Sequence, residues 1–437
     1  MDRRDFLIGS TLLTGAACAR PRTSEPSEPP PSEPAWRPDS WTDVRGLFDL
    51  DPDYVHMAGL LLASHPRPVR EAIEGHRRGL DRNPALYYET HGHALHEQAR
   101  AAAARFLAVP SDEVALTDST TMGLGMIYGG LRLAPGSEIL TTTHDHYSTH
   151  QSLEFNARRT GAQIRKLPLF ADHRARAADV DDLVERIISA LSPQTRLLAL
   201  TWVHSSSGLR LPIRAVADAL AHHNADREPD ERVLLGVDGV HGFGVEAATI
   251  PELGCDIFVA GCHKWIFGPR GTGLAWAREP VWARVDATIP AFEIPVYTSY
   301  LRGQPIPREP GGVMHTPGGF HSFEMRWSLP VAFELHDQIG RPRIEARIHD
   351  LARALEQGLA AMPHVTLHTP MADALSSGLV CFEVAGHEPA VVVERLREQR
   401  IIASTTPYVP SYARLTPGLC NDEADIERAL AAVAALR

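Results

Sequence analysis

Lysine is almost missing from this chain. Of its 43 basic residues only Lys166 and Lys264 are lysines, and the other 41 are arginines. Arginine stays protonated, whereas lysine can shed its proton and act as an amine nucleophile or base. A lysine kept against such a bias is a candidate for chemistry. Cysteine is also scarce. The five cysteines, at 18, 255, 262, 381 and 420, have neither paired metal-ligand spacing nor the density of a disulfide scaffold. No apolar run reaches the length of a bilayer-spanning helix. There is no Lys/Arg run and the net charge is −11, which argues against nucleic acid or an anionic membrane surface as the main partner. What remains is an ordinary globular composition, 44% hydrophobic and 22% charged over 437 residues, enough for two or three domains.

The first forty residues read as an address and a tether. Residues 1–17 carry Arg3-Arg4-Asp5-Phe6-Leu7-Ile8, a short apolar run and Gly15-Ala16-Ala17, the pattern of a twin-arginine export signal. Cys18 follows directly, where lipoprotein processing would place a lipid anchor, although Gly15 stands where such sites usually hold an aliphatic residue. The linker 18–40 is rich in Pro, Ser and Glu, with seven prolines between Pro21 and Pro38, and reads as a semi-extended spacer. The expected destination is the periplasm, reached folded through the twin-arginine machinery.

Short apolar runs recur through the body at Glu138-Ile139-Leu140, Leu197–Leu200, Val233–Val237 and Ile257–Val259, with the length of buried strands. Between them, Val180, Leu183, Val184, Ile187, Ile188 and Leu191 mark one face of a helix. This alternation predicts an α/β fold with a mostly parallel sheet in a large domain, 41–310. Residues 311–437 change character: a long helix over Ile344–Leu359, a strand at Leu379–Val384, a helix at Pro389–Gln399 and a closing helix begun by Asn421-Asp422. They predict a smaller α+β domain.

Ligands of open α/β sheets sit beyond the carboxyl ends of the strands. Several apolar runs end in polar residues there: Asp238-Gly239-Val240-His241, then Gly261-Cys262-His263-Lys264, and the hydroxyl-rich turn Ser119-Thr120-Thr121 opening a helix. Free N–H groups and hydroxyls at a helix start form a phosphate site. An aspartate, a lysine and a phosphate cradle in one crevice meet the needs of pyridoxal 5'-phosphate. The lysine supplies the amine for its aldehyde. The aspartate keeps the ring nitrogen protonated, so that the ring can absorb the electrons left at a substrate carbanion.

Asp238…His241 lies 26 residues before Lys264, and His263-Lys264 is followed by Gly268-Pro269-x-Gly271-x-Gly273. In order and spacing these motifs resemble the class V aminotransferase family, which includes cysteine desulfurases, isopenicillin N epimerase-like proteins and carbon–sulfur lyases. The resemblance runs from about residue 50 to the end. It implies the type I fold of pyridoxal phosphate-dependent transferases, a small amino-acid-like substrate and a homodimer with a shared site. It also implies roles: Lys264 carries the cofactor and shuttles protons at Cα; His263, Thr120 and Thr121 hold the phosphate, with Ser119 beside them; Asp238 pairs with the ring nitrogen; His241 bonds the ring hydroxyl; Tyr147 stacks on the ring face; Thr316 is lent by the second subunit to the phosphate; and Arg414 grips the α-carboxylate. Each also has a plain structural reading: a strand-end turn for Asp238, a helix cap for Ser119–Thr121, core packing for His241 and Tyr147, the surface for Arg414. Lys166 reads as structural.

The histidine groups His144/His146/His150 and His91/His93/His96 lack carboxylate or thiol support beyond Asp145, so no metal is expected. Gln399–Thr406, where many desulfurases carry a nucleophilic cysteine, holds no thiol. Met57-Ala58-Gly59…Ser64-His65-Pro66 and Arg326-Trp327-Ser328-Leu329-Pro330 look closer to the isopenicillin N epimerase-like proteins. The expected reaction is therefore removal of the Cα proton of an amino acid or conjugate, followed by epimerisation or β-elimination. Transamination is the alternative; cysteine desulfuration or a non-catalytic exported binding protein stand behind it. Side-chain recognition is expected from loops such as Ala291–Pro310.

Overall fold

The computed structural model describes residues 36–170, 175–307 and 310–436. Residues 1–17, expected to be an export signal, Cys18 and most of the linker lie outside the described residues. The end of the linker packs against the body: Trp36 is buried, and Arg343 donates to the carbonyls of Pro38 and Asp39 at 2.8 and 3.1 Å.

After a two-residue strand β1 (Val55–His56), the chain builds β2 (Val114–Thr117), β3 (Glu138–Thr142), β4 (Gln163–Leu167), β5 (Thr195–Thr201), β6 (Leu234–Asp238), β7 (Ile257–Gly261) and β8 (Gly273–Ala277). These last seven form one sheet in the order β2-β8-β7-β6-β5-β3-β4. All neighbouring pairs are parallel except the two that β8 makes, with β2 and β7. Alternation along each strand feeds two faces. Leu198 and Leu200 join Leu235, Val237 and Phe258 in the core on one face, while Leu197 and Ala199 join Leu234, Ile257 and Val259 on the other. Helices cover both faces, as a sheet without a wet side requires.

The C-terminal part holds an antiparallel sheet in the order β12-β13-β10-β9, from β9 (Val365–Leu367), β10 (Val380–Val384), β12 (Ser404–Thr405) and β13 (Ala413–Leu415), with β11 (Ile401–Ile402) paired to β1. The closing helix Glu423–Ala434 starts at Asp422, whose carboxylate accepts from Asp425 N in a capping box.

The cores divide the chain differently from the 41–310/311–437 expectation. Val55 and Met57 belong to the C-terminal core, because β1 adds to β11. At the other end, Leu329–Ile339 packs entirely on the large domain. The helix Arg341–Ala360 bridges the two: Ile344 and Ile348 lie in the large core, Leu351, Leu355 and Leu359 in the small one. One unbroken apolar stripe concealed the change of partner, and a two-residue strand is too short to leave a periodic signal.

Candidate active site

Strands β2, β3, β5, β6 and β7 run the same way, so their carboxyl ends share one edge. There a cavity is lined by Ser119, Thr120, Thr121, His146, Asp238, His241, His263, Lys264 and Arg414, with Ser205, Tyr408 and Leu61 at its walls. Eight of the ten sequence-derived site residues are thus brought together.

The first wall is the start of the helix Thr120–Gly130, which follows β2. Ser119 caps it, accepting from Met122 N at 3.1 Å. Thr120 Oγ1 and His263 Nδ1 are buried and have no hydrogen-bond partner among the described residues. A buried polar atom without a partner is costly, so these two await a ligand. Gly261 keeps the space between them open: a Cβ there would stand 2.9 Å from His263 Cε1 and 3.0 Å from Thr120 Oγ1. This cradle of hydroxyls, an imidazole and helix N–H groups fits a phosphate.

Asp238, the last residue of β6, is 2% exposed. Its carboxylate accepts from Val240 N at 3.1 Å and from Thr149 Oγ1 at 3.3 Å. Burial raises it to about 6, against the pull of the Val240 N–H and of Lys264, while the buried Asp145 adds a smaller repulsion. An acid poised in this range, opposite a basic ring nitrogen, would hold the shared proton. Lys264 is lowered to about 8, first by burial, with Asp238 opposing and the Arg414 charge assisting. Its Nζ lies 3.5 Å from His241 Nε2. The Trp265 indole N–H, which can only donate, points at His241 Nδ1 at 3.4 Å, so an imidazole proton on Nε2 faces the cavity when Lys264 is a free amine. The turn behind the lysine is held against its preference. Phe267 sits at φ 54 in the left-handed region, clamped by Phe48 at 5.0 Å between ring centroids.

Arg414, on β13, is 1% exposed. Nε donates to Ser404 Oγ at 3.1 Å, Nη1 to Ser205 O at 2.8 Å and Nη2 to Thr405 O at 3.3 Å. A guanidinium has five N–H donors, so two stay uncommitted. No carboxylate of the described residues pairs with it. It is a buried cation prepared for an anion.

One expectation is corrected. Tyr147 is 66% exposed and does not line the cavity; His146 does. His146 is the N-cap of the helix Tyr147–Thr160, its Nδ1 within 2.8 Å of Ser148 Oγ, which turns the imidazole inward and the next side chain out. Thr316 is 3% exposed and lies away from this cavity. Its hydroxyl donates to Gly312 O at 3.0 Å and accepts from Leu116 N and Arg100 Nη1, both at 3.2 Å. Those three bonds occupy the hydroxyl within its own chain; the role that the resemblance gives it, in the cavity of a second subunit, belongs to the proposed homodimer. The described residues of 291–310 do not line this cavity; its open wall comes from Leu60, Leu61, Pro407 and Tyr408.

The histidine groups do not assemble with each other. Among the described residues the one cluster of metal-ligand type is Glu246, Glu345 and His349, and Arg210 is ion-paired into it. Lys166 pairs with Glu154 at 3.5 Å on the surface. Cys255, Cys381 and Cys420 are pushed up to about 12 by burial, Cys262 higher still, and none lines the cavity.

The aminotransferase class-V family profile matches residues 85–409. The chain belongs to the class V aminotransferase family. It is a pyridoxal phosphate-dependent enzyme of that fold. It is 26% identical to the isopenicillin N epimerase of Streptomyces clavuligerus over 412 residues, 91% of this chain and 98% of the relative. It is equally 26% identical to a cysteine desulfurase of Klebsiella pneumoniae over 361 residues, 78% of this chain and 82% of that one. Among solved structures it resembles the cystine C–S lyase C-DES in complex with cysteine persulfide. There the TM-score is 0.79 at 24% identity, over 88% of this chain and 98% of that one.

Proposed function

We propose that this enzyme removes the Cα proton of a small amino acid or amino-acid conjugate and then either returns it, as an epimerase, or expels a β-substituent, as a lyase. The observation that carries this reading is the enclosure of Lys264, Asp238 and Arg414 in one cavity with a cradle whose buried Thr120 Oγ1 and His263 Nδ1 lack partners among the described residues. When bound, pyridoxal phosphate supplies the aldehyde and the electron-withdrawing ring. Ser119, Thr120, Thr121 and His263 hold its phosphate, and Asp238 holds the proton at its ring nitrogen. His241 presents Nε2–H toward the ring hydroxyl. Arg414 takes the α-carboxylate on its two spare N–H groups. The lowered basicity of Lys264 leaves a useful fraction of free amine near neutral pH, able to accept the Cα proton.

A desulfurase reading is disfavoured because persulfide chemistry needs an accessible thiolate, and the described cysteines are held as thiols away from the cavity. The epimerase relative, aligned over nearly its whole length, favours the Cα-proton reading. Incubating the loaded enzyme with an amino-acid panel in deuterated water tests it. Deuterium at Cα with racemisation supports epimerisation, and release of a keto acid with a thiol or persulfide supports β-elimination. An accumulating keto acid with the cofactor left as its amine means transamination instead, and no exchange at all refutes the proposal.

The reading includes a homodimer, supported by exposed aromatics that gather on one surface. Phe320 is 85% exposed and Tyr88 43%, with their rings 6.1 Å apart, and Tyr88 also touches Phe323. It includes twin-arginine export to the periplasm, supported by Arg3-Arg4 and the short apolar run that follows.

A further inference from the structure

We infer that the substrate side chain is uncharged and largely apolar, and that Leu61 is the residue that selects it. This rests on the proposed function, because it takes Arg414 as the holder of the α-carboxylate and Lys264 as the amine near Cα.

The position of Leu61 is fixed by two anchors. On one side, Met57 O accepts both Thr416 N at 2.9 Å and Thr416 Oγ1 at 2.8 Å, tying the segment to the strand that carries Arg414. On the other, Ala63 N donates to His263 O at 3.4 Å, tying it beside Lys264. The turn between them, closed by Leu61 N to Ala58 O at 3.0 Å, therefore spans the gap between the carboxylate site and the amine. A substrate held at both ends projects its side chain into this gap. Leu60 there is buried, but Leu61 is 51% exposed and lines the cavity.

A single exposed leucine means little. Here the companions matter: Pro407 and Tyr408 line the cavity with it, and Leu62, 57% exposed, continues the apolar surface. The charged residues lining the cavity, among those described, are Lys264, Asp238 and Arg414. Each has a task in the reading above. Among the lining residues a side-chain carboxylate would find no further cation, because Arg270, whose Nη2 donates to Ala63 O at 3.4 Å, is exposed and does not line the cavity, and a side-chain ammonium would find only the buried, hydrogen-bonded Asp238. A charge brought into such a place leaves water without a partner and is rejected.

The test uses the loaded enzyme and probes that cannot react, hexanoate and glutarate, with calorimetric dissociation constants as the readout. Norleucine, glutamate and lysine are compared by the second-order rate of deuterium incorporation at Cα in deuterated water, a step that the epimerase and lyase readings share. Hexanoate is expected to bind at least tenfold more tightly than glutarate, and norleucine to be preferred at least tenfold over both charged amino acids. In Leu61→Arg, glutarate gains at least tenfold and the hexanoate preference reverses; in Leu61→Ala, hexanoate weakens about threefold and glutarate does not gain. Leu61 is half-exposed, so neither change strikes the core, and an unaltered cofactor absorption band in both variants confirms the fold. Equal or tighter binding of glutarate by the parent, or a Leu61→Arg ratio within twofold of the parent's, overturns the inference. Failure of the underlying reading has a different signature, in which no carboxylate of either kind binds and Arg414→Ala changes nothing, and it sinks the inference as well.

Discussion

Replacing Asp238 by Asn should stabilise the cofactor-free protein while crippling the loaded enzyme. The carboxyl is 2% exposed and raised to about 6 from 3.8, chiefly by burial. A shift of that size corresponds to about 3 kcal/mol between ionised and protonated forms, at about 1.4 kcal/mol per unit. The sign follows from proton binding. The folded carboxyl holds its proton more tightly than the unfolded one, so its contribution is intact below about pH 4 and is lost as pH rises toward 6. Above that range the folded protein carries an ionised group in a dry site. Asparagine removes this charge and keeps the shape. Its oxygen still accepts Val240 N–H, and the Thr149 hydroxyl rotates to accept from the new amide. Denaturant midpoints of stripped parent and variant measure the effect, with a gain about 2 kcal/mol larger at pH 8 than at pH 4.5. In the loaded enzyme the change deprives the ring nitrogen of its anionic partner, and turnover should fall by at least a hundredfold. A stripped variant less stable than the parent at pH 8, or a gain equal at both pH values, would refute the argument that burial sets this carboxyl.

Two further outcomes test the same cavity. With Lys264 lowered to about 8, the stripped enzyme should capture pyridoxal phosphate at a rate that rises through that pH and then levels. At pH 7.5 the free-amine fraction is roughly two hundred times that of an ordinary lysine; stopped-flow absorbance measures the profile, and a rate still climbing at pH 10 counts against it. Gly261→Ala places a methyl within 3.0 Å of Thr120 Oγ1 and 2.9 Å of His263, so cofactor affinity by equilibrium dialysis should drop at least thirtyfold, with the far-ultraviolet circular dichroism unchanged.

The strands and the cavity lysine were legible because their signals are local. Buried parallel strands read as short apolar runs, and a lysine in a nearly lysine-free chain announces itself. What escaped is what depends on a single backbone turn or on distant segments meeting. Tyr147 and His146 are neighbours, and only the capping geometry decides which faces inward. Leu61 and Tyr408 lie more than three hundred residues apart and line one cavity because β1 joins β11 and Met57 and Ala63 anchor the turn between Thr416 and His263. The helix Arg341–Ala360 changes cores part-way along an unbroken stripe, so no residue marks the boundary.

The cavity's charges also explain why its two anion sites belong together. Lys264 and Arg414 are both buried, and the guanidinium charge is one of the causes that hold the amine low. The one carboxylate among the lining residues, Asp238, is itself half-titrated near pH 6. A carboxylate seated on Arg414 cancels the guanidinium charge seen by the amine, so the basicity of Lys264 rises when substrate arrives. In the empty cavity the same charge keeps the amine less protonated and therefore free to react with an aldehyde. In the proposed reading one arginine thus adds to burial in holding the lysine low and gives up that part when a carboxylate pairs with it, which requires that Arg414 have no carboxylate partner among the described residues.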